Sequence, residues 1–395
     1  MTTAPFRVGA AKSKITPPPG LGPVYRAGYK MGEAEQLREV VDDLFVRCLT
    51  IEKEDARIVF LSLDLIGLLR DFTFDLASSL ASRFITPAQL LVATTHTHSG
   101  PDTMGLWGPS IEQSGFNQEY DRFLLETSAA AVITALDSAR PAHASFAFEE
   151  VNLGVANHRV PCDLNLDLWR LTFKDGNDVI GSLFSYPAQP ELTPRHDDRI
   201  SAGYPGEACT ILDRESGGIS LFLLGVCGGM EPYGCEKGFE EAHQYGRKLA
   251  EEVIKLSARE HPLSGSRLSV LTHEIQFPIE NPGFQMMMEA GIIHTSQRPP
   301  TGVTSISKVN VGDITILTIP GEPFPGIVAG IGQRGRTLFV SQLNDSLGYF
   351  LPSDQFSPEP VGWEEGKHFI GHELESLGPQ AGPILRQELI RLASA

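Results

Sequence analysis

The sequence contains 395 residues, of which 41% are hydrophobic and 21% are charged, and its formal net charge is −17. This composition is typical of a globular protein with enough residues to bury a large core. The acidic balance argues against nucleic acid or an anionic membrane as the main partner, because both recruit basic surfaces. No apolar run approaches the roughly 20 residues that a membrane helix needs.

The first residues, Met-Thr-Thr-Ala-Pro-Phe-Arg, lack the basic and apolar regions of a signal peptide. The five cysteines are scattered and show no CxxC spacing, which is typical of reduced thiols. We therefore expect a cytoplasmic protein without stable membrane insertion.

The predicted elements alternate between strands and helices along the chain. Strands are predicted over 45–51 and 58–63, and a helix over 71–84 places its apolar residues on one face. The remaining predicted elements are strands over 144–148, 168–173, 179–184, 219–226, 268–277, 309–319 and 338–343, helices over 120–139, 240–256, 321–333 and 383–394, and long loops over 101–118 and 186–207. This order predicts an α/β fold of mixed layered sheets with flanking helices. No repeat or linker divides the chain, so we expect one domain over residues 1–395.

Two histidines, His96 and His98, follow the apolar run 90–93 and precede Gly100 and Pro101. In an extended strand, residues two apart point to the same side, and ligand sites in α/β sheets gather at the carboxyl ends of strands. The pattern predicts a metal site or an acid–base site. Two histidines in a polar loop are the alternative interpretation.

Other predicted strand ends carry further ionisable or metal-binding side chains. Several such loops converging on one place are typical of a site on an α/β scaffold. Zinc accepts His and carboxylate ligands and keeps one position for water in catalytic sites. The spacing alone does not choose among the 11 histidines. The candidates in these loops are Gln189, Glu191, His196, Glu231, Glu322 and Tyr349.

Residues 95–101 read Thr-His-Thr-His-Ser-Gly-Pro and look like the THTHSGP motif of the neutral/alkaline (non-lysosomal) ceramidase family. Further segments resemble that family in the same order: 8–17 its GxxxxDITPP segment, 62–64 the following strand, 200–206 its ISADYPG stretch, 320–322 its PGE, and 344–352 its NxYxxYxxT/P loop. The resemblance spans nearly the whole chain. It implies a neutral-ceramidase-like catalytic domain that hydrolyses an N-acyl amide with zinc, without a C-terminal immunoglobulin-like domain.

By this resemblance, His96, Gln189, Glu322 and Tyr349 occupy Zn²⁺-ligand positions, and His98 lies beside the reacting carbonyl. Two departures affect the chemistry. Gln189 replaces the histidine of the family's ACHP, and Glu231 replaces the proposed catalytic serine of its GDxSPN. The remaining candidates for substrate contact or catalysis are His158 and Trp363, which replace an arginine and a tyrosine of the family, together with Arg159, His196 and Gly228.

Three interpretations account for Gln189. The metal site is rebuilt, with His196 or His98 supplying the missing nitrogen; the residue is an introduced replacement of histidine; or metal binding is lost. A neutral glutamine keeps an oxygen donor but weakens zinc binding, because imidazole suits zinc better. We favour the first two interpretations, since His96, His98, Glu322 and Tyr349 are all present.

Glu231 suggests a general base, because a carboxylate beside a metal-bound water can accept its proton. We hypothesise that Glu231 activates the water while the metal polarises the carbonyl and His98 or Arg159 stabilises the oxyanion. A helix cap or a salt bridge is the structural alternative for Glu231.

The predicted function is zinc-dependent hydrolysis of the amide bond of a small or medium substrate, rather than of long-chain ceramide. An ester or lactone hydrolase with the same metal chemistry, or a metal-free ligand-binding relative, is the alternative. The expected partner is a small-molecule substrate, and the sequence is compatible with a homo-oligomer.

Overall fold

The structure is a computed structural model that describes residues 6–29, 31–157, 159–233, 236–357 and 371–395. Both helices and strands occur along these ranges. The helices are α1 (Arg70–Ser79), α2 (Gln118–Asp137), α3 (Gly203–Ser216), α4 (Phe239–Ser257), α5 (Pro282–Glu289), α6 (Pro325–Val328) and α7 (Ala381–Ser394). The strands are β1 (Phe6–Lys14), β2 (Glu39–Val40), β3 (Phe45–Lys53), β4 (Ala56–Leu63), β5 (Leu90–Thr94), β6 (Arg140–Glu150), β7 (Val155–Asn157), β8 (Asp167–Asp175), β9 (Asp178–Tyr186), β10 (Arg199–Ile200), β11 (Ile219–Leu224), β12 (Met230–Pro232), β13 (His261–Pro262), β14 (Leu268–Pro278), β15 (Thr301–Val311), β16 (Ile314–Thr318), β17 (Glu322–Pro323), β18 (Thr337–Val340) and β19 (Tyr349–Phe350).

Two sheets stack face to face with helices outside them. The larger has the order β11-β9-β8-β6-β1-β3-β4-β5, with β13 beside β6, and the smaller has the order β14-β15-β16-β18. Phe60 and Leu91 of the larger sheet share a buried cluster with Val309 and Ile316 of the smaller one. Helices α1 and α2 pack on the opposite face of β3 and β4, because side chains alternate between the two faces of a strand. Helices α5 and α7 cover the smaller sheet. The predicted class of layered α/β sheets is confirmed.

Burial on both faces explains the continuous apolar runs of the central strands. All five residues of β5 are buried, as are the last six of β4, which is typical of strands covered on both sides. Helix α4 instead buries one stripe against the core, at positions that recur every three or four residues. In the described part of the chain, no helix combines the length and the apolar character needed to cross a membrane.

Two predicted elements are wrong, and glycines account for both. The single strand predicted over 309–319 is a hairpin of β15 and β16, because Gly312 turns the chain with φ of 60°. The helix predicted over 321–333 is reduced to α6, and Gly330 and Gly332 follow it with φ of 74° and 70°, a conformation that helices do not contain. The loop predicted over 186–207 ends earlier than expected, since α3 begins at Gly203.

Candidate active site

A short parallel pairing of β17 with β19 places Glu322 directly opposite Tyr349. The backbone N–H of Glu322 donates to the carbonyl of Gly348 across 2.9 Å, and that of Tyr349 donates to the carbonyl of Glu375 across 2.9 Å. Gly321 makes this approach possible, because a Cβ there would lie 2.4 Å from the Gly348 oxygen. These backbone hydrogen bonds bring together three segments that are far apart in the sequence. They carry the carboxylates of Glu322 and Glu375 and the phenol of Tyr349.

His96 lies just beyond β5 and is buried, with a left-handed φ of 66°, which is uncommon for a residue other than glycine. The predicted position at the end of the strand is confirmed, but the extended backbone predicted for His96 is wrong, because β5 ends at Thr94. The His96 Nδ1 lies 2.7 Å from the carbonyl oxygen of Ile66. Since a carbonyl only accepts, Nδ1 carries a proton, and Nε2 faces Glu322 Oε2 at 3.3 Å.

The imidazole of His96, which can carry a positive charge, therefore faces the carboxylate of Glu322. Burial acts to lower the pKa of His96, but the charge and hydrogen bond of Glu322, together with the Ile66 carbonyl and the charge of Glu375, outweigh it, so the pKa of His96 is raised. A proton or another cation between His96 Nε2 and the carboxylate is the favoured arrangement, because two acceptors would otherwise face each other in a buried place.

Gln189 joins the same pair from the loop after β9. Its backbone N–H donates to the Met230 carbonyl across 2.8 Å, and its side-chain Nε2 donates to Glu322 Oε2 and, across 2.9 Å, to the Tyr349 hydroxyl. Its Oε1 is buried and has no hydrogen-bond partner among the described residues. The structure thus brings together all four side chains that the sequence resemblance assigns to zinc.

This donor set fits a metal ion. Two ligands on a tetrahedral zinc lie roughly 3.3 Å apart when each bond is about 2.0 Å, which matches the 3.3 Å between His96 Nε2 and Glu322 Oε2. The carbonyl that fixes the His96 tautomer is the usual outer partner of a metal-binding imidazole. Gln189 is the weak member, since its amide must turn to present the unpartnered Oε1. In the described ranges no three His, Cys, Asp or Glu side chains are grouped for a metal, so the site depends on Tyr349 and Gln189.

His98 faces His96, with ring centroids 5.0 Å apart and planes at 85°. Its Nε2 lies 3.6 Å from Glu191 Oε1 and has no hydrogen-bond partner among the described residues. Burial, followed by the charges of His96 and Arg26, lowers the pKa of His98 well below its usual value. The ring is therefore neutral, so one of its nitrogens donates and the other accepts a hydrogen bond.

Three more carboxylates, on Glu191, Glu231 and Glu375, surround this pair of histidines. Burial and the neighbouring charges of Glu231, Glu322 and Glu375 raise the pKa of Glu191 well above its usual value. Burial and the charge of Glu322 raise the pKa of Glu375 to about 7. Carboxyl groups of this kind can exchange protons near neutral pH.

The polar cluster forms one end of a cavity of about 980 Å³. Much of the remaining lining is apolar and comes from several elements, including the loop 101–118. These apolar residues are Met31, Ile66, Leu69, Met104, Leu106, Trp107, Ile279, Phe284, Met288, Ile293, Leu347, Leu374 and Leu377. An apolar cavity with a few convergent polar groups is the usual form of a small-molecule site.

Comparison with solved structures identifies the architecture. The crystal structure of neutral ceramidase from Pseudomonas aeruginosa superposes with a TM-score of 0.75 at 14% sequence identity, covering 99% of this chain and 75% of that chain. A ceramidase complexed with C2 gives a TM-score of 0.77 at 15% identity, with the same coverage. This chain has the neutral ceramidase fold. The sequence matches no protein-family model and no curated protein.

The resemblance to neutral ceramidases is thereby confirmed for the fold, and the geometry of this chain decides what each residue can do. Arg159 is buried away from the cavity lining: its Nη1 donates to Glu373 Oε2 across 3.0 Å, and its Nη2 also donates to the Gln355 carbonyl. Its predicted role at an oxyanion does not match this position, because the guanidinium is already engaged by a carboxylate and a carbonyl.

Four further candidates do not reach the cavity or cannot be placed. The His196 side chain is 67% exposed and its Nδ1 lies 3.0 Å from Glu35 Oε1, a surface position unsuited to completing a buried metal site. Gly228 packs against Phe324, with its N–H donating to the Pro323 carbonyl across 2.9 Å. His158 and Trp363 lie outside the described residues.

Glu191 is a candidate of the loop after β9 that the sequence names without a role, and the structure places it in the cavity lining. Glu375 is the site residue that the sequence does not indicate. It reaches the cavity where its backbone carbonyl accepts a hydrogen bond from the Tyr349 N–H, and no local pattern announces this contact.

Proposed function

We propose that this protein is a zinc-dependent hydrolase of ceramidase type that cleaves the amide bond of a small or medium N-acyl substrate. The observation that carries the proposal is the buried contact of His96 with Glu322 at 3.3 Å, with Gln189 and Tyr349 beside it and His98 facing it across the cavity. His96, Glu322, Tyr349 and Gln189 would hold the metal. A bound zinc supplies a polarised carbonyl and a water of lowered pKa.

The side chains around the metal position supply proton transfer and orientation. The Ile66 carbonyl holds the His96 ring in one tautomer. Glu231 accepts a proton from the attacking water, as its place in the cavity lining allows. Glu191, whose pKa is raised by burial and by neighbouring carboxylates, delivers a proton to the departing nitrogen, and the neutral His98, whose Nε2 lies 3.6 Å from Glu191 Oε1, orients the substrate by hydrogen bonding. A C–O bond forms, the C–N bond breaks, and one water proton ends on the amine.

The apolar walls bind the acyl chain and keep bulk water from the reacting bond. A cavity of about 980 Å³ lies at the upper end of the range for small-molecule sites, which supports a medium-length chain. Met104, Leu106 and Trp107 of the loop 101–118 would form part of this wall.

Activity and metal content test the proposal together. The purified chain, first stripped with a chelator and then titrated with zinc, is assayed against N-acyl amides of graded chain length. We expect amide hydrolysis that is absent after stripping and returns at about one zinc per chain. Failure of every amide to be cleaved with zinc bound would overturn the proposal. Matched esters in the same assay separate an amide hydrolase from an esterase or lactonase.

One observation favours a second candidate, a metal-free ligand-binding protein. The Gln189 amide already donates to both Glu322 and Tyr349, so these side chains have a neutral partner without a cation. For this candidate we expect no zinc binding above background and ligand binding that is indifferent to chelation.

A further inference from the structure

Part of the apolar lining of the cavity is a buried cluster that adjoins His96. Ile66, Met104 and Trp107 share this cluster with Ala27, and these three residues line the cavity. The Ile66 carbonyl is the hydrogen-bond partner of His96 Nδ1, at 2.7 Å. This part of the wall therefore lies beside a side chain that would hold the metal and, with it, the reacting carbonyl.

Trp107 is also connected to the second histidine of the site. Its indole Nε1–H donates to the Tyr29 carbonyl across 3.4 Å, and the Tyr29 ring packs edge-on against His98, with ring centroids 5.0 Å apart. Trp107 is 7% exposed. Because buried side chains are closely packed and leave few voids, the indole has a defined position next to both histidines.

Asp102 fixes the backbone that carries this wall. Its Oδ1 accepts hydrogen bonds from the N–H groups of Met104 and Gly105, and its Oδ2 accepts one from the N–H of Trp107, each across 2.8 Å. Asp102 is 1% exposed. Moving the segment 104–107 would cost three hydrogen bonds in a place where water cannot replace them.

The other side of the same loop is held by the segment that follows α5. The His294 N–H donates to the Met104 carbonyl across 2.8 Å, and the rings of Phe116 and His294 stack with centroids 3.7 Å apart. The loop 101–118 is thus held by Asp102 on one side and by His294 on the other. A substrate therefore meets a wall whose shape is set before it binds.

We propose that this wall selects acyl groups that are unbranched next to the carbonyl, with Trp107 excluding a branch and Asp102 positioning Trp107. The first carbon atoms of the acyl chain lie beside the indole. A methyl group on the α-carbon would have to displace a ring that is held by packing and by the loop backbone. This assignment of acyl specificity rests on the proposed amide hydrolysis.

Three amides of one amine test the selection on the zinc-loaded protein. They are formed with octanoic, 2-methylheptanoic and 6-methylheptanoic acid, which are isomers that differ only in the branch. We expect kcat/KM for the straight chain to exceed that for the 2-methyl isomer by about tenfold or more, as one carbon group discriminates in an apolar pocket. The 6-methyl isomer should resemble the straight chain, because its branch lies far from the indole.

The change of this ratio in variants decides the question, because an α-branch also slows amide hydrolysis without an enzyme. Trp107→Ala should lower the ratio of straight over 2-methyl by about tenfold, since it removes the indole from the wall. Ile111→Ala is the matched control and should leave the ratio unchanged: Ile111 belongs to the same loop but is 63% exposed and is not among the described lining residues. An unchanged ratio in Trp107→Ala overturns the inference while leaving amide hydrolysis intact.

Asp102 variants test the positioning role. Asp102→Ala removes the acceptor of three N–H groups and should lower the same ratio several-fold, although the indole is still present. Asp102→Asn keeps one acceptor oxygen in nearly the same volume, so it should restore part of the selectivity. The ratio within one variant does not depend on the fraction of folded protein. A ratio equal to that of the unmodified chain in both Asp102 variants contradicts the positioning role.

Binding without chemistry separates the two proposals. 1-Octanol and 2-methylheptan-1-ol are titrated by calorimetry into the unmodified protein and into Trp107→Ala. Tighter binding of the straight alcohol that is lost in Trp107→Ala supports the selective wall even if no amide is cleaved, in which case only the hydrolase proposal fails. If no amide is cleaved and the two alcohols bind the unmodified protein equally, the selective wall fails as well.

Discussion

The side-chain nitrogen of Gln189 lies 2.9 Å from the hydroxyl of Tyr349 and also donates to Glu322. A neutral amide thereby occupies the place where the sequence resemblance expects an imidazole ligand. The same side chain can serve as a hydrogen-bond donor without a metal and, after its amide turns, as an oxygen ligand with one. We therefore expect Gln189 to limit the affinity of the proposed metal site for zinc.

Replacing Gln189 with histidine should strengthen zinc binding by about tenfold or more, because imidazole suits zinc better than an amide oxygen. Competitive titration against a chelating dye measures this affinity directly. Gln189→Leu is the matched control, since it removes the donor altogether, and we expect it to bind zinc more weakly than the unmodified chain. Weaker binding by the histidine variant would argue against a cation between these four side chains.

Replacing Glu231 with glutamine should lower kcat on the best amide by about 10²–10⁴-fold, the usual contribution of a positioned general base. The change removes the proton acceptor while keeping nearly the same volume, so KM should change little. Steady-state kinetics with unchanged zinc content provide the measurement. Turnover of the variant at the unmodified rate at saturating substrate would leave Glu231 with a structural role.

Replacing Arg47 with methionine should lower the free energy of unfolding by about 3–5 kcal/mol, because the Asp64 carboxylate would be left buried without its cation. The pair is 2.8 Å apart, and its side chains are 1% and 0% exposed. Denaturant unfolding gives the change. The double variant Arg47→Met with Asp64→Asn should recover part of the loss, since an amide costs less to bury than a charge. A single variant as stable as the unmodified chain would show that the pair contributes little.

Asp345 should make the protein less stable as the pH rises. Burial raises its pKa to about 7, above the usual 3.8, so between these values the folded state holds a proton that the unfolded state releases. The free energy of unfolding therefore falls by up to about 4 kcal/mol across this window. Asp345→Asn should remove this contribution, flattening the pH dependence of urea unfolding between pH ~4 and ~7. The exposed Asp354→Asn variant is the control, and an equal slope in Asp345→Asn would contradict the assignment.

The sequence predicted those parts of the site that local patterns control. His96 and His98 lie beyond a buried strand because an apolar run is followed by Gly100 and Pro101. This end of a strand can be recognised from one amino-acid sequence alone. The grouping of Gln189, Glu322 and Tyr349 came from the family resemblance rather than from spacing. It holds in the structure because β17 and β19 pair in a register that no local signal specifies.

What escaped prediction depends on long-range geometry or on the conformation of single residues. Glu375 reaches the cavity through a backbone hydrogen bond to Tyr349, 26 positions away by the difference of the two residue numbers. The left-handed backbone at His96 is imposed by its contacts with the segment 65–66 and not by its own propensity. Gly312 and Asp313 form the turn of the β15–β16 hairpin, but apolar residues recur on either side of this pair, so the segment resembles one strand.

The hydrogen bond from the Tyr349 N–H to the Glu375 carbonyl ties a late segment of the chain to the cavity. The cavity and the larger sheet therefore depend on different parts of the chain. The cavity takes residues from Gly28 at one extreme to Leu377 at the other, whereas eight of the nine strands of the larger sheet lie within residues 6–224. The sheet can therefore form before the chain that completes the cavity has docked. Partial opening of residues 371–377 would empty the cavity of Glu375 without breaking a strand of that sheet. The cavity would then lose its acidic end while the larger sheet stays folded.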